Sequence, residues 1–283
     1  MKIIECPRDA WQGFHPFIAT SIKAEYINQL LKVGFDTIDF GSFVSPKAMP
    51  QVRDTSQLIG ELDLEATSTK LLAIVANERG ATEACQFPEI SYLGFPFSIS
   101  ETFQIRNTQS TMEESLKRVQ NIASICEKHG KEMVIYISMG FGNPYGDIWN
   151  IEMVSEWVQR LAKYHIRTFS LSDTVGLANP EDIATLFKQL IAAHSQIEFG
   201  AHFHVKPLEW QNNITAAYRA GCRRFDGAIL GYGGCPMAQD DLVGNMATEN
   251  LLLFAKQNGE TLNINNERFT ESRTLFQELI SLI

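Results

Sequence analysis

Short β-branched apolar runs alternate with longer amphipathic runs along the whole chain, which is the pattern of alternating strands and helices. We predict strands over eight ranges: Lys2–Cys6, Thr37–Phe40, Lys70–Val75, Ile90–Phe95, Glu132–Ser138, Thr168–Leu171, Ile197–Phe203 and Arg224–Ile229. A helix is predicted after each of them: Ser21–Val33, Asp54–Glu61, Glu78–Cys85, Thr111–His129, Ile151–Tyr164, Pro180–Ala193, Trp210–Ala220 and Gly244–Gln257. The chain therefore contains eight successive strand–helix units.

Several predicted helix ends carry local signals of their own. Thr111 is followed three residues later by Glu114, as in a capping box. Gly130 stands where a left-handed residue commonly ends a helix, and Asn179 precedes Pro180 as a cap precedes a first-turn proline. These signals support the helices more firmly than the periodicity does alone.

Eight alternating units predict a closed (β/α)8 barrel, the TIM-barrel architecture of the α/β class. An open doubly wound sheet usually stops at five or six strands, so it fits the chain less well. We find no linker, low-complexity segment or short-period repeat, and one domain over residues 1–283 is the simplest interpretation. Residues 265–283 are predicted to form a further helix that packs against the barrel wall.

Composition narrows the classes of partner. The chain has 283 residues, of which 45% are hydrophobic and 20% charged, as in an ordinary globular protein. A net charge of -9 without a Lys/Arg cluster disfavours nucleic acid as a partner. No apolar run approaches the roughly 20 residues that span a bilayer, and the N-terminus has neither signal-peptide nor transit-peptide features, so we expect no membrane partner.

The cysteines indicate a reducing compartment. Five are present, an odd number, and they are widely spaced without a CxxC pair. Such a set predicts free thiols rather than a disulfide framework. We therefore expect a cytoplasmic protein.

The seventh predicted strand ends in His202-Phe203-His204. Side chains alternate between the two faces of a strand, so both imidazoles point the same way and offer two nitrogen ligands to a divalent metal. Two ordinary strand histidines are the alternative explanation of such a motif. A metal site therefore requires further ligands from other strands.

Active sites of such barrels lie at the carboxyl ends of the strands, and polar residues are concentrated there. They lie at or beyond the ends of strands one, two, six and eight: Arg8, Asp9, Asp39, Ser42, Lys47, Ser170, Asp173, Thr174, Cys235 and Asn245. Each has a structural alternative. Arg8 and Asp9 can form a surface ion pair, Cys235 can be a packed thiol, and Asp173 and Asn245 can cap helices. Their joint placement at one rim favours a functional site.

The chemistry of this set suits a hard divalent cation. Asp9, His202, His204 and Asn245 offer two nitrogen and two oxygen donors without a thiolate, which favours Mg²⁺ or Mn²⁺ and leaves Zn²⁺ open. Arg8 beside the cation can stabilise an enolate oxygen. Cys235, on a Gly-Gly loop, can enter the pocket and transfer a proton.

These residues lie in stretches that resemble the 3-hydroxy-3-methylglutaryl-CoA lyase family, within a larger group of metal-dependent barrel lyases and Claisen-type synthases. The matching stretches run from the first strand to the last helix: Pro7–Gln12, Ser42–Lys47, Ser100-Glu101 with Asn107, Tyr136–Ser138, Asn143–Gly146, Ser172–Gly176, His202–His204, Gly233–Pro236 and Gly244–Glu249. Ser-Phe-Val-Ser-Pro-Lys and Gly-Gly-Cys-Pro distinguish the lyases from the condensing synthases.

The resemblance implies cleavage of 3-hydroxy-3-methylglutaryl-CoA to acetyl-CoA and acetoacetate, a step of leucine degradation. It assigns the cation to Asp9, His202, His204 and Asn245, enolate stabilisation to Arg8, and protonation of the acetyl-CoA carbanion to Cys235. Asp39 takes the place of an acidic catalytic residue near the metal, and His202 is also a candidate for moving the hydroxyl proton. Arg8 and five further residues are assigned to substrate binding: Ser42, Asn107, Ser170, Asp173 and Thr174.

Some predictions rest on weaker signals. Lys47 and Arg106 are candidates for binding the CoA phosphates, because the chain contains no Walker-type loop. We expect a homo-oligomer, with a dimer as the first expectation. A related 3-hydroxyacyl-CoA lyase, a condensing synthase of the same barrel group and a non-catalytic barrel remain alternatives.

The chain departs from the family pattern at several positions. Ala10-Trp11 stands where Gly-Leu is usual, and Asp39 replaces a glutamate. Val205 stands where an aspartate usually follows the second histidine. Because ligating imidazoles are normally oriented by a neighbouring polar group, we predict that another strand supplies that group.

Overall fold

Eight parallel strands close into a barrel in the computed structural model, which describes residues 1–65, 67–206, 208–234 and 243–281. Each strand pairs with its neighbours in chain order, and the last pairs with the first. The strands are β1 Lys2–Glu5, β2 Thr37–Ser42, β3 Lys70–Ile74, β4 Ile90–Ser98, β5 Glu132–Ser138, β6 Thr168–Asp173, β7 Glu198–Phe203 and β8 Arg224–Gly227. The predicted TIM barrel is confirmed, whereas one domain over the whole chain stays a prediction.

Helices follow the strands around the outside of the barrel. They are α1 Pro7–Trp11, α2 Thr20–Leu31, α3 Thr55–Ile59, α4 Glu78–Ala84, α5 Glu101–Thr108, α6 Met112–His129, α7 Ile151–Ala162, α8 Pro180–Ala193, α9 Trp210–Arg219, α10 Thr248–Gln257 and α11 Asn266–Ser281. The predicted tail helix is α11, which packs on α2 through stacked rings of Tyr26 and Phe276. Within the described ranges, no helix is long and apolar enough to cross a membrane.

The local capping signals are confirmed. Thr111 and Glu114 form a capping box at the start of α6, and Gly130 ends that helix with φ of 65°. The Asn179 side chain accepts a hydrogen bond from the Asp182 amide at the start of α8. Such signals act between near neighbours, which is why the sequence reveals them.

The sequence patterns missed two short helices and placed the start of a third helix wrongly. The sequence patterns did not predict the short helices α1 and α5, which come almost directly after β1 and β4. The helix predicted from Gly244 begins only at Thr248. Residues 244–247 are held in extended form instead, because Asn245 bridges to His204 and Ala247 bridges to Ala228.

Strand alternation divides the side chains between the barrel interior and the helical layer. Leu72, Tyr92, Val134 and Tyr136 form a compact cluster inside the barrel, separate from the larger core between strands and helices. Gly200 leaves room for the stem of Arg224, since a Cβ at Gly200 would lie 2.9 Å from the Arg224 Cδ. The inward faces of the same strands carry polar residues at their carboxyl ends.

Glu5 is a fully buried carboxyl group on the outward face of β1. Its Oε1 accepts a hydrogen bond from the Ile229 amide at 2.9 Å, and its Oε2 contacts the Thr248 hydroxyl at 2.6 Å. Burial raises the pKa of Glu5 from an ordinary 4.5 to about 8, against the lowering effect of these two bonds. The folded protein therefore favours the neutral acid at physiological pH.

We expect Glu5→Gln to stabilise the protein at pH 7.5 and to have little effect at pH 5. Between pH 4.5 and 8, folding requires Glu5 to take up a proton that the unfolded chain has lost. Wild-type stability then falls with rising pH by up to about 1.4 kcal/mol for each pH unit. The neutral amide retains an acceptor for Ile229 and a donor for Thr248, and it has no such cost.

Thermal unfolding at both pH values measures this difference. Glu25→Gln, an exposed change on α2, is the matched control and should stay within about 0.5 kcal/mol of wild type at either pH. A Glu5→Gln variant that is equally destabilised at pH 5 and 7.5 would show that the buried carboxylate is ionised and favourable.

Candidate active site

A cleft of about 730 Å³ opens where the strands end. Eight of the residues predicted from the sequence to form the site line it: Arg8, Asp9, Lys47, Arg106, Asn107, Thr174, His202 and His204. They come from the ends of β1 and β7 and from the segments that follow β2, β4 and β6. The closure of the barrel therefore brings together residues that lie up to about 200 positions apart in the chain.

Asp9, His202 and His204 form a group of possible metal ligands. One donor atom from each lies within 4.8 Å of the other two. His204 Nε2 is 3.9 Å from Asp9 Oδ2, and the two imidazole centroids are 5.3 Å apart. Asp9 and His204 are buried, and His202 is nearly so. The arrangement brings three ligand side chains around one point at the rim.

The charges of this group fit a divalent cation. Burial raises the pKa of Asp9, but the positive charge of Arg8 and the two histidines outweigh it and lower that pKa to about 2. Burial, together with His202, lowers the pKa of His204 to about 4. At neutral pH the site thus offers a carboxylate and a neutral imidazole, the protonation states that metal binding requires.

Asn245 joins the group through its amide nitrogen. Its Nδ2 donates to Asp9 Oδ2 at 2.6 Å and to the Tyr232 carbonyl at 2.8 Å. Asn245 does not cap α10, whose first residue is Thr248, so the capping alternative is wrong. Ligation through Oδ1 requires the amide to rotate, and the role of Asn245 as a ligand stays a prediction.

Arg8 is buried between two carboxylates. Its Nε lies 3.1 Å from Asp39 Oδ2, its Nη2 also contacts that oxygen, and its Nη1 donates to Asp9 Oδ1 at 3.0 Å. With only 7% of its surface exposed, Arg8 is not part of a surface ion pair. Burial raises the pKa of Asp39 to about 6, although the Arg8 charge opposes the shift. Asp39 thus holds the guanidinium and can also exchange a proton near neutral pH.

Ser42 and Asp173 contact protein groups and do not line the cleft. The Ser42 hydroxyl donates to the Ile74 carbonyl at 3.0 Å. The Asp173 carboxylate accepts from the amides of Leu177 and Ala178, both at 2.9 Å, and so holds the loop before α8. Asn179, not Asp173, caps that helix, so the capping alternative for Asp173 is also wrong.

Ser170 is buried below the cleft, where its hydroxyl donates to Asp226 Oδ2 at 3.2 Å. The substrate contacts predicted for Ser42, Ser170 and Asp173 stay predictions. Cys235 lies outside the described residues.

The sequence interpretation missed two residues close to the histidines. Asp226 Oδ2 lies 3.2 Å from His202 Nδ1, and the Tyr136 ring meets the His202 imidazole edge-on with centroids 5.5 Å apart. Burial lowers the pKa of His202. The hydrogen bond to Asp226 and the charge of that carboxylate together raise the pKa by more than burial lowers it, so the net shift is upward. Asp226 lies within the predicted eighth strand, where alternation and barrel closure would have placed it beside His202.

Comparison with known proteins agrees with this geometry. The model of the HMGL-like family matches residues 2–276. The chain belongs to the HMGL-like family. It is 32% identical over 280 residues to the hydroxymethylglutaryl-CoA lyase of Bacillus subtilis, covering 96% of this chain and 90% of that protein. The family predicted from the motifs is confirmed.

Solved structures from this family have the same fold. The HMG-CoA lyase of Bacillus subtilis aligns with a TM-score of 0.92 at 31% identity, covering 99% of this chain and 93% of that one. The HMG-CoA lyase of Acinetobacter baumannii, in complex with coenzyme A and 3-methylmalate, aligns with a TM-score of 0.91 at 28% identity. The latter alignment covers 99% of this chain and 91% of the other.

The structure shows how this HMGL-like chain accommodates Val205 in place of the usual aspartate. Val205 is buried and packs in the hydrophobic core. His202 takes its orienting carboxylate from Asp226 on β8, as the sequence predicts for a group from another strand.

Cationic side chains line the other end of the cleft. Lys47 and Arg106 are exposed, and Arg106 lies over the Tyr145 ring at 4.6 Å. Arg118, which the sequence interpretation missed, is half-buried and donates to the Thr108 carbonyl at 3.0 Å. The cleft therefore joins the group of possible metal ligands to a positively charged mouth.

Proposed function

We propose that this protein is a 3-hydroxy-3-methylglutaryl-CoA lyase, which forms acetyl-CoA and acetoacetate. The observation that supports this most directly is the buried group of Asp9, His202 and His204 beside Arg8, in the cleft of an HMGL-like barrel. A carboxylate and two imidazoles suit a cation that binds neighbouring oxygens of a substrate. A guanidinium beside them suits the negative charge that carbon–carbon cleavage creates.

A bound Mg²⁺ or Mn²⁺ would supply a Lewis acid for the cleavage. Asp9, His202, His204 and Asn245 are the residues proposed to hold it. The donor set contains oxygen and nitrogen without a thiolate, which suits these harder cations and leaves Zn²⁺ open. The ionised state of Asp9 and the neutral state of His204 agree with this assignment.

The protein's own groups then account for proton and charge movement. Asp39 accepts the proton of the tertiary hydroxyl, because a cation-bound His202 has no free lone pair, and the resulting C=O forms as the adjacent carbon–carbon bond breaks. The bonding electrons pass to the thioester fragment, whose enolate oxygen is stabilised by the Arg8 guanidinium. Asp39 and Asp9 hold that guanidinium from two sides, so it needs little reorganisation during the reaction. Cys235 delivers the final proton to carbon.

The positively charged mouth suits the nucleotide end of the substrate. We propose that Lys47, Arg106 and Arg118 contact the CoA phosphates, while Asn107 and Thr174 face the acyl end of the cleft. The net charge of -9 disfavours anions in general, so a local cluster of cations is needed to bind a highly anionic cofactor.

The proposal extends to the biological setting. Leucine degradation is the process that would supply this substrate. The four described cysteines are free and buried, which supports a reducing, cytoplasmic location. A homodimer remains our expectation for the oligomeric state.

Incubating the purified protein with 3-hydroxy-3-methylglutaryl-CoA tests the function. We expect acetoacetate and acetyl-CoA in equal amounts with Mg²⁺ or Mn²⁺ under reducing conditions, and neither product after treatment with EDTA. Restoring the cation should restore turnover. If neither cation yields acetoacetate from folded, reduced protein, this substrate assignment is wrong. Release of free CoA from acetyl-CoA in the presence of a keto acid would then indicate a condensing enzyme.

A further inference from the structure

A buried carboxylate lies directly behind one of the proposed metal ligands. Asp226 faces His202 across the β7–β8 pairing, with Oδ2 at 3.2 Å from Nδ1 of the imidazole. The Asp226 side chain is 0% exposed, and Ser170 on β6 donates to the same oxygen at 3.2 Å. Three adjacent strands thus contribute to a hydrogen-bonded line from Ser170 through Asp226 to His202.

This contact determines what His202 can offer to the cleft. An ionised carboxylate only accepts hydrogen bonds, so a neutral His202 must carry its proton on Nδ1 to make this bond. Nε2 then retains its lone pair. Since the imidazole also packs edge-to-face with the Tyr136 ring, with centroids 5.5 Å apart, its tilt as well as its tautomer is constrained.

Two buried side chains lie close to Asp226. Arg224 lies two residues earlier on the same strand, is buried, and interacts electrostatically with Asp226. Cys6 also lies close enough to Asp226 and His202 to count as a potential metal ligand. Burial raises the pKa of its thiol well above the ordinary value, so Cys6 remains a neutral neighbour.

We propose that Asp226 is a positioning residue that acts through His202, holding the imidazole in the tautomer and orientation that present Nε2 to the divalent cation. Ser170 supports Asp226 and does not contact the acyl group. The inference rests on the proposed function only for the identity of the bound ligand, because the tautomer is a property of the cation-free protein.

Asp226→Asn tests the inference by three measurements. An amide can donate to Nδ1, which favours the tautomer with its proton on Nε2 and removes the lone pair from the cleft. In cation-free protein labelled with ¹⁵N-histidine, long-range ¹H–¹⁵N spectra recorded up to pH 9 should show Nδ1–H for His202 in wild type and loss of that pattern in Asp226→Asn. Signals of His202 are identified by their disappearance in His202→Gln.

Cation affinity and kinetics provide the other two readouts. Mn²⁺ titration followed by electron paramagnetic resonance should show roughly 10- to 100-fold weaker binding in Asp226→Asn, as for other groups behind metal ligands. His204→Ala, which removes a proposed ligand, is the comparator and should weaken binding at least as much. For Asp226→Asn we expect kcat to fall by a similar factor while KM stays within about threefold. For Ser170→Ala we expect KM for the acyl-CoA to be unchanged.

Several outcomes would overturn the inference. An Nε2–H tautomer of His202 in the wild-type protein would do so without any variant, so a poorly folding Asp226→Asn does not prevent the test. An unchanged tautomer together with Mn²⁺ affinity within twofold of wild type would also reject it. If both tautomer and Mn²⁺ affinity change as expected but wild type produces no acetoacetate, the proposed function fails while the positioning role of Asp226 stands.

Discussion

Arg8→Gln is expected to lower kcat for cleavage of 3-hydroxy-3-methylglutaryl-CoA by at least roughly 10²- to 10³-fold, the usual effect of removing one preorganised donor to an oxyanion. Arg8 is buried, and its guanidinium reaches the cleft next to Asp9. Glutamine cannot supply the positive charge at the same place. Steady-state kinetics with saturating Mn²⁺ measure the loss, which should appear in kcat more than in KM.

The same substitution should also destabilise the fold. Removing Arg8 leaves Asp39 and Asp9 buried without their main counter-charge, and breaking a buried ion pair typically costs about 3–5 kcal/mol. The pKa of Asp39, already about 6, should rise further, because the lowering effect of Arg8 is lost. Arg8→Gln/Asp39→Asn removes the orphaned charge and should recover part of the lost stability in urea unfolding.

Two comparisons separate catalysis from folding in this experiment. Arg219→Gln, an exposed change on α9, should leave both kcat and the free energy of unfolding near wild-type values. Assays are run at a temperature where circular dichroism shows Arg8→Gln to be folded. If the folded variant retains kcat within tenfold of wild type, Arg8 does not stabilise the enolate.

Cys235→Ser is expected to lower kcat by roughly 10²- to 10⁴-fold, the range for loss of a general acid. The sequence places this thiol in Gly233-Gly234-Cys235-Pro236, the stretch that matches the lyases. A serine hydroxyl is a much weaker acid than a thiol, so it cannot deliver the proton to carbon efficiently. Mn²⁺ affinity and KM should stay within about threefold of wild type, because the proposed metal ligands are unchanged.

Cys85→Ser is the matched control for the loss of a thiol. Cys85 is buried near the end of α4, on the outside of the barrel, and should tolerate the change with turnover near that of wild type. Exchange of solvent deuterium into the acetyl-CoA methyl group adds a direct measure of proton delivery. Turnover that Cys235→Ser does not impair would remove Cys235 from the mechanism and assign the carbon proton to another group.

The sequence predicted the secondary structure well where the signal is carried by neighbouring residues. Alternating apolar runs identified all eight strands, and the capping residues Thr111 and Asn179 stand where the helices begin. The errors fall where contacts between distant segments override the local pattern. Asn245 looks like a helix cap in the sequence, yet its segment is held against β7 and β8 and cannot start the helix there.

The sequence by itself determined the fold and the family, and it identified Asp9, His202 and His204 as candidate metal ligands. Strand periodicity and motif spacing are properties of the chain alone, so no structure is needed to see them. Only the tertiary structure decided how these residues are supported. It placed Asp39 against Arg8, turned Ser170 toward Asp226, and set Asp226 behind His202. These contacts depend on the register between strands and on closure of the barrel, which join residues that the local sequence pattern cannot connect.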